Sequence, residues 1–380
     1  MFVLHYATAA PRRLASILGL VLLLAGCASP TARPTPSAPQ AEAQPGPTST
    51  VSTDAPVIAT VAPAASPLPA QAAAVPTPPA PPTPEPTPSA EVSPSADQPM
   101  VEPIAVIVEN SPEARPQSGL DKADVVYETL AEGGISRFLA VFTQGDADVL
   151  GPVRSLRHYF AFIAADYSAS LVHIGASPQG FAWRDALALT KLDESAGDPG
   201  VWRIRNRLAP HNAYTSTRAD RDLLAARGEQ QPGGFGPLVF DPHAPAGDEP
   251  APDLKIQFTP WPYNVSYHWD AETQVYERSM EGRPHRDAVT GQQLGGPTVV
   301  VQFAEIDPIA GDGKNRVDIN LAGADGRLLV FSQGAVREGR WQKNAPQEPT
   351  EWLDAAGQPL TLPPGQVWVE IVPLGARVTW

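Results

Sequence analysis

Cysteine is almost missing from this chain: Cys27 stands alone among 380 residues, so no internal disulfide can form. Positive charge is scarce too. Twenty-seven Lys and Arg face 41 Asp and Glu, leaving a formal net charge of −14. A general nucleic-acid binder needs a basic stripe that displaces counterions from phosphates, so no nucleic-acid partner is expected. The apolar run from Leu14 to Leu24 falls short of the ~20 residues of a membrane-spanning helix. His158, His173, His211, His243, His268 and His285 show no two-histidine helical spacing, so no metal site is expected. His285 and Asp287 in "RPHRDAVTG" could share a ligand, but a surface turn explains them equally well. No glycine-rich phosphate loop follows a strand: "GDGKNR" lacks the full spacing, and no cofactor is expected. No internal repeat is visible.

Proline is what the chain has in excess, with 45 residues. Residues 1–26 read as an export signal, with Arg12 and Arg13 ahead of the short apolar run. The run ends in Leu24-Ala25-Gly26-Cys27, which resembles the bacterial lipobox, where a lipidated cysteine becomes the new N-terminus. Cys27 is therefore the expected lipidation site, and the expected partner is a bacterial membrane, on its extracytoplasmic face. Residues 27–100 are nearly all Pro, Ala, Ser, Thr and Val, too poor in large apolar groups to offset the entropy of ordering. They are expected to form a disordered stalk with a maximum reach of roughly 200 Å at ~3.1 Å per residue.

Order begins at "PIAVIVEN", a strand with apolar residues on both faces and so buried on both sides. "ADVVYETLAEGGISRFLAVFTQ" reads as strand, Gly-Gly turn, strand. "SLRHYFAFIAADY" shifts to helical spacing, with Leu156, Phe160 and Ile163 on one stripe, and "TSTRADRDLLAARG" is a Ser/Thr-capped helix ending at Gly228. Residues 101–242 thus make an α/β domain. "FDPHAPAGDEPAPD" reads as a linker, and 253–380 as a β-rich domain, a sandwich or a barrel. Its tryptophans Trp341, Trp352, Trp368 and Trp380 are core if buried and a glycan-stacking face if exposed, with core preferred. The fold class is α+β.

The segments "RPQSGLDKADVVYETLAEGGISRFLAVF", "GPVRSLRHYF", "LVHIGASPQG" and "APHNAYTS", with "YERSMEGRPHRDAVTGQQL", "GAVREGRWQK" and "LPPGQVWVEIVP", resemble the YerB-like lipoproteins. The resemblance spans about 101 to 380. Glu109-Asn110 stands where that family usually has Asp-Asn, and Ser136 where it tends to have Thr. The resemblance implies a layered β/β/α first domain, a β-rich second one, and no assigned reaction, substrate or cofactor.

"GPVRSLRHYF" sets Arg154, Arg157 and His158 at or beside an expected helix start, with Ser155 as N-cap. A helix N-terminus already carries positive dipole, so a negative group should sit there. Arg137 and Arg115 are candidates for the same pocket, with Asn212 beside it. The alternative is internal pairing with Glu109, Glu128 and Glu132. His211 in "APHNAYTS" is a candidate acid/base, although a His-Asn pair more often holds a turn, and Ser155 would be a nucleophile only if the fold joins it to His211. The preferred reading is a non-enzymatic, lipid-anchored module that binds an anionic envelope polymer or an envelope protein. The alternatives are an envelope hydrolase or transferase acting on an anionic glycan, and a purely structural protein.

Overall fold

The computed structural model describes residues 101–380 except 232, 235, 259–262 and 312. The signal segment, Cys27 and the proline-rich stretch lie outside these residues. The chain from 101 to 240 supplies β1 (Ile104–Glu109), β2 (Val125–Glu132), β3 (Ile135–Phe142), α1 (His158–Asp166), β4 (Ser170–His173), α2 (Pro178–Ala186), β5 (Lys191–Asp193) and α3 (Thr217–Arg227). The remainder supplies β6 (Asp253–Gln257), β7 (Asn264–Asp270), β8 (Val275–Met280), β9 (Thr298–Ala304), β10 (Ala324–Ser332), β11 (Ala335–Lys343), β12 (Glu351–Leu353), β13 (Val367–Pro373) and β14 (Arg377–Thr379).

One mixed sheet runs in the order β12-β11-β10-β9-β13-β2-β3-β1-β4-β5. Its centre joins the two parts of the chain: β2 and β13 pair in parallel, from Val125 opposite Val367 to Glu128 opposite Glu370. Both strands are buried almost throughout, which is why each reads as a near-continuous apolar run. A second, antiparallel sheet runs β8-β7-β6-β14, extended beyond β8 by Arg283–Pro284. It packs on one face of the large sheet, where Leu254, Ile256, Val265 and Tyr276 meet Val106, Val126, Phe138 and Val299. α1 packs on the opposite face, against Ile107, Leu139, Val141 and Val369. The result is a β/β/α layering in an α+β fold.

Several local expectations hold. The β2–β3 turn is Gly133-Gly134, with φ of 60° and 77°, the positive values that a tight hairpin of right-handed twist demands. "HWDAETQVY" closes the β7–β8 hairpin, where Thr273 Oγ1 donates to Asp270 Oδ2 across 2.8 Å. Ser216 caps α3 and Gly228 ends it in the left-handed conformation. Trp341, Trp352 and Trp368 are buried, while Trp380 is partly exposed.

Others are corrected. A self-contained sandwich or barrel is not formed, because the C-terminal strands are divided between the shared sheet and the second sheet. The stretch read as a linker carries Glu249–Pro250, which pairs with β11, and the fully buried Ala251. α1 begins at His158 rather than near Ser155, and its N-cap is Arg157, with no side-chain cap bond. The reason is that Gly151–Arg154 is extended and bonded to the end of β1: Glu109 N donates to Pro152 O and Arg154 N to Ile107 O, each across 2.9 Å.

Candidate functional site

Glu109 closes β1 and is almost wholly buried, so each carboxylate oxygen must find donors from the protein. Arg154, set alongside by the extended segment, forms an ion pair with it, Nη2 lying 2.9 Å from Oε1. Ser111 Oγ donates to the same oxygen across 2.9 Å. Oε2 takes the remaining partner, His211 Nδ1, at 2.9 Å. His211 comes from the loop before α3, where its own N–H donates to Leu208 O. Its side chain stays 21 % exposed, and no described residue hydrogen-bonds Nε2. Glu109 therefore fixes one edge of the ring and leaves the other open.

Arg115 lies next in line. It donates from Nε to Asn110 Oδ1 (3.2 Å), from Nη2 to Asn110 O (3.0 Å) and from Nη1 to Glu281 (2.7 Å), and its guanidinium lies over the Tyr263 ring. Arg207, from the His211 loop, donates to Ala114 O and, across 2.6 Å, to Pro116 O. No carboxylate among the described residues pairs with it.

Arg137 and Arg157 belong to a separate cluster. Arg137 Nη2 reaches Glu132 Oε1 at 2.8 Å, and Arg157 Nε reaches Oε2 at 2.9 Å. Both also donate to the backbone oxygen of Ser155. Burial penalises the Glu132 carboxylate, but the two guanidinium charges outweigh that and hold its pKa below the usual carboxylate range. The cations named from the sequence are thus each matched by an internal acid and divided between Glu109, Glu132 and Glu281. His158 lies apart from them, with Nε2 at 2.7 Å from Asp318 Oδ1. Asn212 holds the turn, accepting from Arg203 Nη1 (3.1 Å) and donating to Ile204 O (3.3 Å).

The hydroxyl near His211 is not that of Ser155. It is Ser111, whose Oγ lies 3.4 Å from Nδ1. Ser111 and Arg207 are the residues that reading the sequence missed. Arg203, Arg205 and Arg207, alternating just ahead of "APHN", were the available signal.

Glu128, the third acid offered as an arginine partner, serves a different cation. Arg278 of β8 pairs with it between the two sheets and donates from Nε to Tyr267 Oη across 3.0 Å. His285 packs beside them, its Nε2 at 2.8 Å from Gln117 Oε1, and burial pushes its pKa well below the ordinary histidine value. Asp287 accepts from the backbone N–H groups of Val289 and Thr290 and, across 2.5 Å, from Gly119 N, so the turn it holds is buried against the first part of the chain rather than a surface turn. Among the described residues no group of three or more His, Cys, Asp or Glu side chains is placed to hold a metal ion.

Two family models match the chain: protein of unknown function (DUF3048) N-terminal domain over 89–231, and its C-terminal domain over 254–369. YerB of Bacillus subtilis (strain 168), a candidate lipoprotein, is 32 % identical over 278 residues, covering 71 % of this chain and 81 % of its own length. A crystal structure of the YerB protein from Bacillus subtilis superposes with a TM-score of 0.65 at 32 % identity, covering 74 % of this chain and 94 % of that one. On the shared sequence, both domain matches and the shared fold, the chain is a member of the YerB-like family.

Proposed function

We propose that this protein is a lipid-anchored component of the bacterial cell envelope, tethered through Cys27 on the extracytoplasmic face, that recognises an anionic envelope polymer beside His211. One observation carries the reading. Among the described residues Arg207 has only backbone carbonyls as partners, and it comes from the same loop as the partly exposed His211, which shares Glu109 with Arg154. Guanidinium forks with donors to spare suit phosphate and carboxylate groups. Arg157, only 8 % exposed and held by Glu132, is better suited to a structural role. The test is binding of the full chain to a poly(glycerol phosphate) and to a polyuronate, which separate phosphate from carboxylate recognition. Arg207→Ala and Arg154→Ala should each weaken binding at least tenfold and reduce its salt dependence, while Arg157→Ala leaves the affinity of the folded protein unchanged. Wild-type affinity in the Arg154→Ala/Arg207→Ala double variant would remove the reading.

A second reading, a hydrolase or transferase acting on such a glycan, is favoured by the Glu109–His211 pair. A carboxylate on Nδ1 fixes the ring so that Nε2 is available for proton transfer, and Ser111 lies beside it. Product release from a phosphate-bearing glycan, abolished by His211→Ala with the fold intact, would establish it.

A further inference from the structure

A groove of about 560 Å³ lies on the α1 side of the molecule, away from the residues discussed so far except the His158–Asp318 pair. One wall is α1 and α2; the other is a short hairpin, Ile306–Pro308 and Val317–Ile319, with the segment that follows it. It is within the size range of small-ligand sites. Two features of its lining are unusual together.

The first is an aromatic platform. Trp183 on α2 is 38 % exposed, although Phe162 of α1 supports it edge-on at a centroid distance of 5.1 Å. A large ring supported along one edge yet left open to solvent suits stacking against a flat, partly apolar ligand face such as a pyranose ring.

The second is uncompensated negative charge. Asp307 and Asp318 stand directly opposite each other across the hairpin. Like charges in that relation repel, and a bound cation relieves the repulsion. Glu305 adds a third carboxylate, and among the described residues no lysine or arginine lines the groove. His158 Nε2 holds Asp318 at 2.7 Å, but burial keeps the histidine pKa below its ordinary value, so at neutral pH the ring orients the carboxylate without neutralising it. The amides of Asn320 and Gln179 complete a polar wall, and the buried Gln179 Oε1 has no hydrogen-bond partner among the described residues.

From the aromatic face, the facing carboxylates and the amides, we infer that this groove binds a basic amino-sugar oligomer, with a ring stacked on Trp183 and its ammonium group between Asp307 and Asp318. Hydroxyls of the same sugar are donors and acceptors for Asn320, Gln179 and Glu305. The groove shares no residue with the Glu109–His211 site, and its charge requirement is the opposite one.

The experiment is a titration of the full chain with a glucosamine tetramer, followed by tryptophan fluorescence and calorimetry, with N-acetylglucosamine tetramer and tetralysine in parallel. Saturable binding of the glucosamine tetramer is expected, at least tenfold weaker for the acetylated tetramer. Trp183→Ala and Asp307→Asn/Asp318→Asn should each weaken it at least tenfold, with Trp183→Phe retaining most of it. These positions are solvent-exposed or partly so, and circular dichroism checks that the variants are folded. Arg154→Ala/Arg207→Ala should bind the tetramer as the wild type does, which keeps this outcome separate from that of the proposed anion site. Absence of saturable binding, equal affinity for tetralysine, or an unchanged Trp183→Ala variant would overturn the inference.

Discussion

Glu128 and Arg278, 150 residues apart in the chain, form an ion pair in the space between the two sheets, where neither side chain touches solvent. Glu370 lies beside them on β13, directly across from Glu128. Burial, reinforced by the Glu128 charge, pushes the Glu370 pKa well above the usual carboxylate value. The Arg278 guanidinium lies between the two, with Nε 3.7 Å from Glu370 Oε1. Trp368 and Phe138 flank the guanidinium, with its carbon 4.8 and 5.5 Å from the ring centroids.

Removing only the cation should be costly, because the Glu128 carboxyl would be left buried without its ion-pair partner. Arg278→Met is expected to lower unfolding stability by about 3–5 kcal/mol in urea titration. Arg278→Met/Glu128→Gln, which removes both charges, should recover a large part of that loss. A single variant no less stable than the double one would show that the pair does not hold the sheets together.

Breaking the site pair has a smaller expected effect. Glu109→Gln keeps the shape but removes the charge that Arg154 and His211 share. Arg154 is a quarter exposed and solvent screens it, so the cost should be about 1–3 kcal/mol. Thermal unfolding reads the loss, and side-chain nitrogen NMR of His211 should show the Nδ1 signal shifted.

Asp220 gives a pH dependence whose sign can be worked out. Burial pushes its pKa from 3.8 up to about 7, against the opposing effect of the Thr215 hydroxyl, 2.9 and 2.8 Å from its two oxygens. Between those values the unfolded chain binds fewer protons than the folded one at this position. Stability should therefore fall as pH rises through the window from about 4 to about 7. Asp220→Asn is expected to flatten this contribution, seen as a smaller change in melting temperature than the wild type shows across the same range. Parallel curves for the two proteins would refute it.

A local cap offers a plainer test. Ser177 Oγ accepts from Gly180 N across 3.0 Å at the start of α2, the helix that carries Trp183. Ser177→Ala should cost about 0.5–2 kcal/mol in urea titration.

Much of the local structure was legible from residues alone. The apolar run Ile104–Val108, the Gly133-Gly134 turn, the Ser216 cap and Gly228 each follow from a preference acting over a few positions. The α1 start differs from the expected one because Ser155 is a good cap in isolation, whereas here Gly151–Arg154 bonds to the end of β1 and moves the cap two residues on, to Arg157. That competition involves Ile107 and Glu109, more than 40 positions away, and no local pattern encodes it.

The site divides in the same way. Sequence alone established an acidic chain with a knot of arginines, candidate acids to match them, a histidine in a loop and one cysteine in a lipobox-like setting. Which acid takes which cation was decided only by tertiary structure. Glu109 has Arg154 and His211, Glu132 has Arg137 and Arg157, and Glu128 is turned to the other face of the sheet, where it meets Arg278. The reason is the pleat and its interruption: side chains one position apart along a strand point to opposite faces, and the register shift in β2 between Leu130 and Glu132 turns Glu132 away from the face that carries Glu128, so pairing follows strand register and the layer packed on each face rather than proximity along the chain.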